Sequence, residues 1–350
     1  MLDSKSVVEL CTSKGFALAG VATASHSSHD AVLRKWLEDE KHGEMEWLNR
    51  NVDVRLDPRN LVEGAASVIC VADRYGKLEE EPLCARDGRI ARYARGRDYH
   101  KEMKKRLHSI SDALREEFPG EQFRACVDTA PLLEREFAQR AGIGSVGKHT
   151  LLIEQGIGSW MLLGAIVTTA VIEQTNASTK EQSDPCATCT RCIDACPTEA
   201  ITPWEVDARK CISYLTIEHR TDIAPELYPK IGRWIFGCDV CQEVCPHNQP
   251  SEVSAQAQIH SSYASTRDSL DVLKVMQWNE EDRREYFRGS SMKRAKLGMI
   301  RRNAVIVAGN ILADSQDETL EAAITSIAQD PLEDALVSEA ARIVLLQERG

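Results

Sequence analysis

Eight cysteines crowd one stretch of the chain in spacings suited to redox clusters: Cys186-x2-Cys189-x2-Cys192-x3-Cys196-Pro197, then Cys211, then Cys238-x2-Cys241-x3-Cys245-Pro246. The first run has the bacterial ferredoxin spacing, in which three thiolates on a tight loop hold one [4Fe–4S] cubane and the fourth reaches across to a second. The second run repeats the tail of that pattern with one cysteine missing locally, and Cys211 is the natural replacement. Pseudo-symmetry assigns Cys186, Cys189, Cys192 and Cys245 to one cluster, and Cys196, Cys211, Cys238 and Cys241 to the other. Paired C-x2-C elements also suit a structural zinc, but the complete run ending in proline favours clusters. Cys11, Cys70, Cys84 and Cys126 follow no spacing pattern and receive no role; Cys70, within an apolar strand, reads as a small buried hydrophobe.

Two neighbouring clusters form a wire, and a wire needs a terminus that consumes electrons. Nucleotide chemistry is not that terminus. Gly142-Ile-Gly144-Ser-Val-Gly147-Lys148 matches G-x-G-x-x-G and nearly matches a P-loop, but both motifs need a preceding strand. Here Pro131–Ala141 reads as an amphipathic helix, and His149 replaces the magnesium-binding hydroxyl. Asp98-Tyr99-His100 begins like the D-x-H-x-x-G signature of histidine-ligated cobalamin, but Met103 occupies the glycine position.

These side chains need elements to hold them. Residues 1 to about 175 mix short apolar runs with helical patterns: Ser67–Val71, Leu151–Ile153 and Met161–Ile172 read as strands and Ala31–Arg50 as a helix, giving an α/β unit. Thr175–Asp184 is polar and aperiodic and reads as a linker into the cysteine segment, which runs to about Asn248. From about Ser269 the pattern is helical, through Met299–Leu312, Leu320–Ala328 and Ala335–Leu346, a solenoid-like succession of short helices.

The 350 residues carry a formal net charge of −11, which disfavours indiscriminate binding to nucleic acid or anionic lipid. Met1–Ala24 lacks the pattern of a secretory signal, and the apolar stretch Met161–Ile172 is interrupted by Thr168 and Thr169, well short of a bilayer span. A soluble, cytoplasmic protein without membrane contact is expected. In a reducing cytosol, clustered cysteines serve metals rather than disulfides.

Together, Arg55-Leu-Asp-Pro58, Ala91-Arg-Tyr-Ala-Arg-Gly-Arg-Asp-Tyr-His100, Asp128-Thr-Ala-Pro131 with Glu134-Arg135, Gly147-Lys148, the eight cysteines, Cys211-Ile-Ser-Tyr-Leu-Thr-Ile-Glu218 and Ile235-Phe-Gly-Cys238 resemble the tRNA epoxyqueuosine reductases. The likeness covers nearly the whole chain. It implies a cobalamin-binding α/β catalytic domain over residues 1–175, a ferredoxin-like domain with two [4Fe–4S] clusters over 176–250, and a helical, HEAT-like tRNA-binding region over 251–350.

The reaction implied is reduction of epoxyqueuosine to queuosine at the tRNA wobble position, with the epoxide oxygen leaving as water. That requires two electrons and two protons. The clusters deliver electrons singly, cobalamin accumulates them, and an unidentified low-potential donor supplies them. An opening epoxide develops alkoxide charge that a protonated acid would neutralise. Asp128 is the candidate, placed between a short apolar run and a proline turn; the role demands a pKa raised by burial from its ordinary value near ~3.9. A turn or helix-cap aspartate is the other reading of D-T-x-P. The resemblance also lines the corrin with Arg55, Leu133, Leu152, Leu163 and Ser213. On sequence alone the leucines would be ordinary core, and Arg55 would make a surface salt bridge.

Two basic stretches are candidates for tRNA. Arg283–Arg302 holds eight Lys/Arg, among them Arg294, Lys296, Arg301 and Arg302, against one acid, Glu285. Phosphate contacts there would hold the anticodon stem-loop. Arg288-Gly289-Ser290 through Asn303 also resembles the helical-repeat segment that closes the family's C-terminal region. Arg86–Arg106 interleaves Arg89, Arg92, Arg95, Arg97, Lys101, Lys104 and Lys105 with Tyr93 and Tyr99, which could stack on a loop base; a solvated helix face is the alternative. Two other readings stay open: a reductive dehalogenase, disfavoured by the missing export signal and the basic tail, and a non-catalytic ferredoxin-like carrier.

Overall fold

The computed structural model describes residues 2–79, 82–175, 184–252 and 259–348. Its central sheet runs β1 (Leu18–Thr23), β2 (Ser67–Arg74), β7 (Met161–Thr168), β4 (Phe123–Cys126), every neighbouring pair antiparallel. All eight residues of β2 are buried, as a central strand covered on both faces requires. The content is the expected mixture of helix and strand, but the antiparallel sheet differs from an alternating βαβ plan.

Helix α4 (Tyr99–Glu117) packs one face on this sheet through Met103, Leu107, Ile110 and Leu114, spaced three and four apart. Gly164 on β7 admits that approach, since a Cβ there would sit 3.1–3.2 Å from Leu107 and Met103 side-chain carbons. On the other face lies α5 (Glu134–Arg140) with Phe137 and Ala138 buried. It leads into Gly142 at φ +78°, then a small hairpin of β5 (Ser145–Val146) and β6 (Leu152–Ile153). The expected helix over Pro131–Ala141 thus exists in shorter form.

Other elements depart from expectation. The helix expected over Ala31–Arg50 ends early, as α2 (Asp30–Glu38), because Glu40 and Gly43 adopt φ +56° and +57°. The loop beyond is held from far away: Tyr214 Oη accepts the Glu44 N–H at 2.7 Å, and Trp36 Nε1 donates to the Val206 carbonyl at 2.8 Å. Ser269–Asp271 is not helical but strand β11, paired antiparallel with β3 (Asp87–Ile90), which also pairs in parallel with β10 (Trp234–Phe236). Residues 176–183 of the expected linker lie outside the described residues; Thr175 is anchored, its Oγ1 donating to the Ala141 carbonyl at 2.8 Å.

The C-terminal helices α13 (Leu297–Leu312), α14 (Glu318–Gln329) and α15 (Ala335–Glu348) match the expected periodic segments. Their buried residues join one hydrophobic core with Ile90, with Ile212, Leu215 and Phe236 of the cysteine segment, and with Leu270. The expected boundaries near residues 175 and 250 therefore do not separate independent cores. No helix among the described residues is long and apolar enough to cross a membrane.

Candidate functional site

The eight cysteines of the clustered segment lie near one another in two neighbourhoods. Burial pushes the Cys192 thiol up to about 11, and its sulfur neighbours are Cys186, Cys245 and Cys189. Burial likewise raises Cys241, whose neighbours include Cys238 and Cys211, while Cys238 in turn faces Cys211 and Cys196. All eight thiols are free. Backbone N–H groups aim at them: Lys148 at Cys186 (3.3 Å), Ala200 at Cys196 (3.3 Å), and Ser213 with Tyr214 at Cys211. Such donors stabilise cluster thiolates. Among the described residues no three His, Cys, Asp or Glu side chains converge on a single ion position. A Cys211→Ala protein purified anaerobically is expected to hold about half the wild-type iron; iron analysis showing full loading would remove Cys211 from the ligand set.

Lys148, the residue of the rejected P-loop, braces the first cysteine loop. Its Nζ donates to the Ala187 and Cys189 carbonyls at 2.6 and 3.0 Å.

Asp128 stands just beyond β4 at φ +46°, a backbone conformation costly for a non-glycine residue and a reason to look for function. Its carboxylate Oδ2 accepts from His100 Nε2 at 2.9 Å, and His100 Nδ1 donates to Asp98 Oδ1 at 2.8 Å. Asp98 also caps α4, accepting the His100 N–H, and pairs with Lys293. Burial works against the imidazolium, but Asp128 and Asp98 outweigh it and raise His100 to about 9. Burial would also raise Asp128, yet the His100 bond prevails and its pKa falls. This corrects the expectation that burial raises it: a cationic partner decides instead.

The raised carboxyl is Glu134, pushed to about 8 by burial and then by the Asp128 charge, while its Oε1 accepts the Asp128 N–H at 2.7 Å. Arg135 beside it donates to the Thr150 carbonyl at 2.8 Å and lies near Asp128 and Cys241, close enough to act on both electrostatically. Sequence reasoning quoted Glu134 and Arg135 without roles and weighed His100 only as a metal ligand. Both His100 nitrogens are committed to carboxylates. The D-x-H spacing was a usable signal, because it lets a helix-capping aspartate reach the ring two residues on.

Of the remaining candidates, Arg55 is buried, sits near Glu134 and Asp128, and has an Nε without a partner among the described residues. Trp47 lies between two guanidiniums, those of Arg55 and Arg294. Leu133, Leu163 and Ser213 are half-buried. Leu152 packs in the core at 3% exposure, so its side chain lines no open recess.

The basic run Arg283–Arg302 does not form one positive face. Arg302 is fully buried, donating to the carbonyls of Leu215, His219 and Thr221. Arg301 makes a two-point bond to Glu333, Arg294 pairs with Glu218, and Arg283 with Glu280. Arg284, Arg288, Lys293, Arg294 and Lys296 are exposed. In the earlier stretch Arg92 and Arg95 are buried, and Tyr99 packs in the core, stacked on His100 at 4.0 Å between ring centres. Arg97, Lys101, Lys104 and Lys105 remain outside.

Residues 55–129 match the family described as "Epoxyqueuosine reductase QueG, DUF1730", and residues 185–248 match the "4Fe-4S double cluster binding domain". The epoxyqueuosine reductase of Leadbetterella byssophila is 37% identical over 309 residues, covering 87% of this chain and 98% of that protein. That of Xanthomonas campestris pv. campestris is 38% identical over 339 residues, 94% and 92% of the two chains. A crystal structure of an epoxyqueuosine reductase with an epoxyqueuosine-modified tRNA-Tyr stem loop superposes with TM-score 0.82 over 96% of this chain and 88% of that one, at 23% identity. The Streptococcus thermophilus epoxyqueuosine reductase gives 0.80, covering 99% of each chain at 22% identity.

Proposed function

The chain belongs to the epoxyqueuosine reductase family, and on that premise we propose that it reduces epoxyqueuosine in tRNA to queuosine, releasing the epoxide oxygen as water. It is an oxidoreductase of tRNA modification that uses two [4Fe–4S] clusters. We assign Cys186, Cys189, Cys192 and Cys245 to one and Cys196, Cys211, Cys238 and Cys241 to the other. The observation that carries the reading is the hydrogen-bonded array Asp98–His100–Asp128 with Glu134 beside it, which we take as a proton-holding recess, in a chain that has the double cluster segment and spans most of the length of these relatives.

Cobalamin, in our reading, binds over this recess and supplies stored low-potential electrons when bound. Arg55, with its unpartnered buried Nε, and half-buried Leu133, Leu163 and Ser213 fit an amide- and phosphate-bearing corrinoid; the core leucine Leu152 can offer only backbone.

Removing the oxygen as water takes two protons, and the recess holds two at neutral pH. One is on His100 Nε2, hydrogen-bonded to Asp128 Oδ2; the other is on Glu134. Transfer from Nε2 to Oδ2 converts Asp128 into a neutral acid as charge develops on the departing oxygen. Asp98 keeps the ring oriented, with Lys293 balancing its charge. Epoxide reduction is therefore expected to fall as pH rises through about 8 to 9. The stabilisation from the His100 ion pairs follows the same direction: its folded pKa lies above the unfolded value, so the contribution is full below about 6.5 and is lost through about 9. Anaerobic single-turnover rates that stay level to pH 10 would remove His100 and Glu134 as proton sources.

Exposed Arg294, Lys296, Lys293, Arg284 and Arg288 are the proposed phosphate contacts for the tRNA anticodon stem-loop, with α13–α15 read as a HEAT-like support and the cytoplasm as the site of action. Arg301 and Arg302 are excluded from that surface by their internal partners. The deciding test is anaerobic incubation with epoxyqueuosine-containing tRNA and a chemical reductant, with and without cobalamin, followed by nucleoside analysis. Queuosine is expected only with cobalamin. Its formation in both arms would remove cobalamin, and its absence from both would remove the activity.

A further inference from the structure

His149 is 3% exposed, yet its Nε2 meets no hydrogen-bond acceptor among the described residues. Its other nitrogen is committed, because Nδ1 accepts the Leu151 N–H at 3.2 Å. A neutral imidazole that accepts at Nδ1 carries its hydrogen on Nε2. Among the described residues the ring is thus a buried donor without an acceptor, an arrangement that is costly unless a ligand supplies one.

The ring's surroundings identify that ligand. A Cβ built on Gly147 would lie 3.2 Å from His149 Cε1 and 3.4 Å from Cys186 Sγ, so the two groups flank the same glycine. Cε1 lies between the two ring nitrogens, and Nδ1 is already taken by the Leu151 N–H, so the free Nε2 stands one bond from the ring atom beside this loop. The loop already turns backbone toward the same sulfur, the Lys148 N–H pointing at Cys186 Sγ at 3.3 Å. His247, which follows Cys245-Pro246 and bonds the Pro185 carbonyl at 2.9 Å, also lies close enough to act on His149 electrostatically. His149 therefore lies beside the first cysteine set. Arg135, which adjoins Asp128 and Glu134, acts on the ring as well.

We propose that His149 donates its Nε2–H to a sulfur of the cluster anchored by Cys186, Cys189, Cys192 and Cys245, and so sets that cluster's reduction potential above the value the thiolates alone would give. The inference rests on the double-cluster reading. Hydrogen bonds to cluster sulfurs stabilise the more negative reduced state and raise the potential. His149 is accordingly a positioning and tuning residue; it touches no substrate. The glycine at 147 is part of the device, since any side chain there would separate ring from sulfur.

The test uses holoprotein purified anaerobically, with iron analysis and EPR-monitored redox titration of wild type, His149→Phe and His149→Asn. Cys186→Ser identifies the signal of the first cluster. The phenylalanine variant keeps the ring and loses the donor; its first-cluster midpoint is expected to drop while the second stays in place. Asparagine keeps an N–H and should recover part of the drop. Unchanged potentials in a fully loaded phenylalanine variant, or movement of the second cluster alone, overturn the proposal. Loss of the first cluster from both variants shows a packing role and overturns it too. A wild-type protein without two cluster signals defeats the double-cluster reading itself, a separate result from failure of the histidine assignment.

Discussion

An Asp128→Ala protein is expected to lose epoxide reduction by roughly 10²–10⁴-fold, the range for removing a positioned acid, while keeping both clusters. The clusters persist because the carboxylate is 58% exposed and bonds His100 rather than any cysteine. Alanine at φ +46° adds strain of order 1 kcal/mol, too little to unfold a domain. Asp128→Asn separates proton transfer from geometry, since asparagine tolerates the left-handed backbone and can still contact His100 but carries no transferable proton. Queuosine yield and iron content measured together decide the matter. Near-wild-type turnover in either variant would pass the acid role to Glu134.

Arg302→Glu is expected to destabilise the whole protein by about 3–5 kcal/mol or more, a large part of the roughly 5–15 kcal/mol available to a folded protein. The guanidinium is wholly buried and donates to three carbonyls, those of Leu215, His219 and Thr221, and to Asn303 Oδ1. Glutamate would place a carboxylate against oxygens that can only accept. Arg294→Glu, at a partly exposed pair with Glu218, is expected to cost far less stability than Arg302→Glu and to act on tRNA affinity. A properly folded Arg302→Glu protein that differed only in RNA binding would return Arg302 to the surface.

The proposed cluster ligands stand out in the sequence because their spacing is local: loops of two and three residues fix sulfur positions almost without tertiary information. Cys211 needed a symmetry argument, and its sulfur lies with the set that argument named. Asp128, the proposed acid, was singled out only through resemblance, and its electrostatics were not legible, because they depend on His100, Asp98 and Lys293, brought together from α4 and from the far side of the chain. The basic run misled for the same reason. It counted one acid in sequence, whereas folding supplies Glu218, Glu280, Glu333 and Asp98. Helix periodicity predicted α13 to α15 well; it missed β11 because a three-residue strand declares itself only through β3, which lies far earlier in the chain.

The small sheet of β10, β3 and β11 has a consequence for how such an enzyme can be altered. Its three strands come from the catalytic, cysteine and helical segments, in that spatial weave and over a common core. Gene recombination that exchanged the iron–sulfur segment for a foreign ferredoxin would take β10 from its place beside β3 and open the core beneath. The electron carrier is thus heritable only together with its catalyst and its tail, and tuning must proceed by point substitution at residues such as His149 rather than by swapping cassettes.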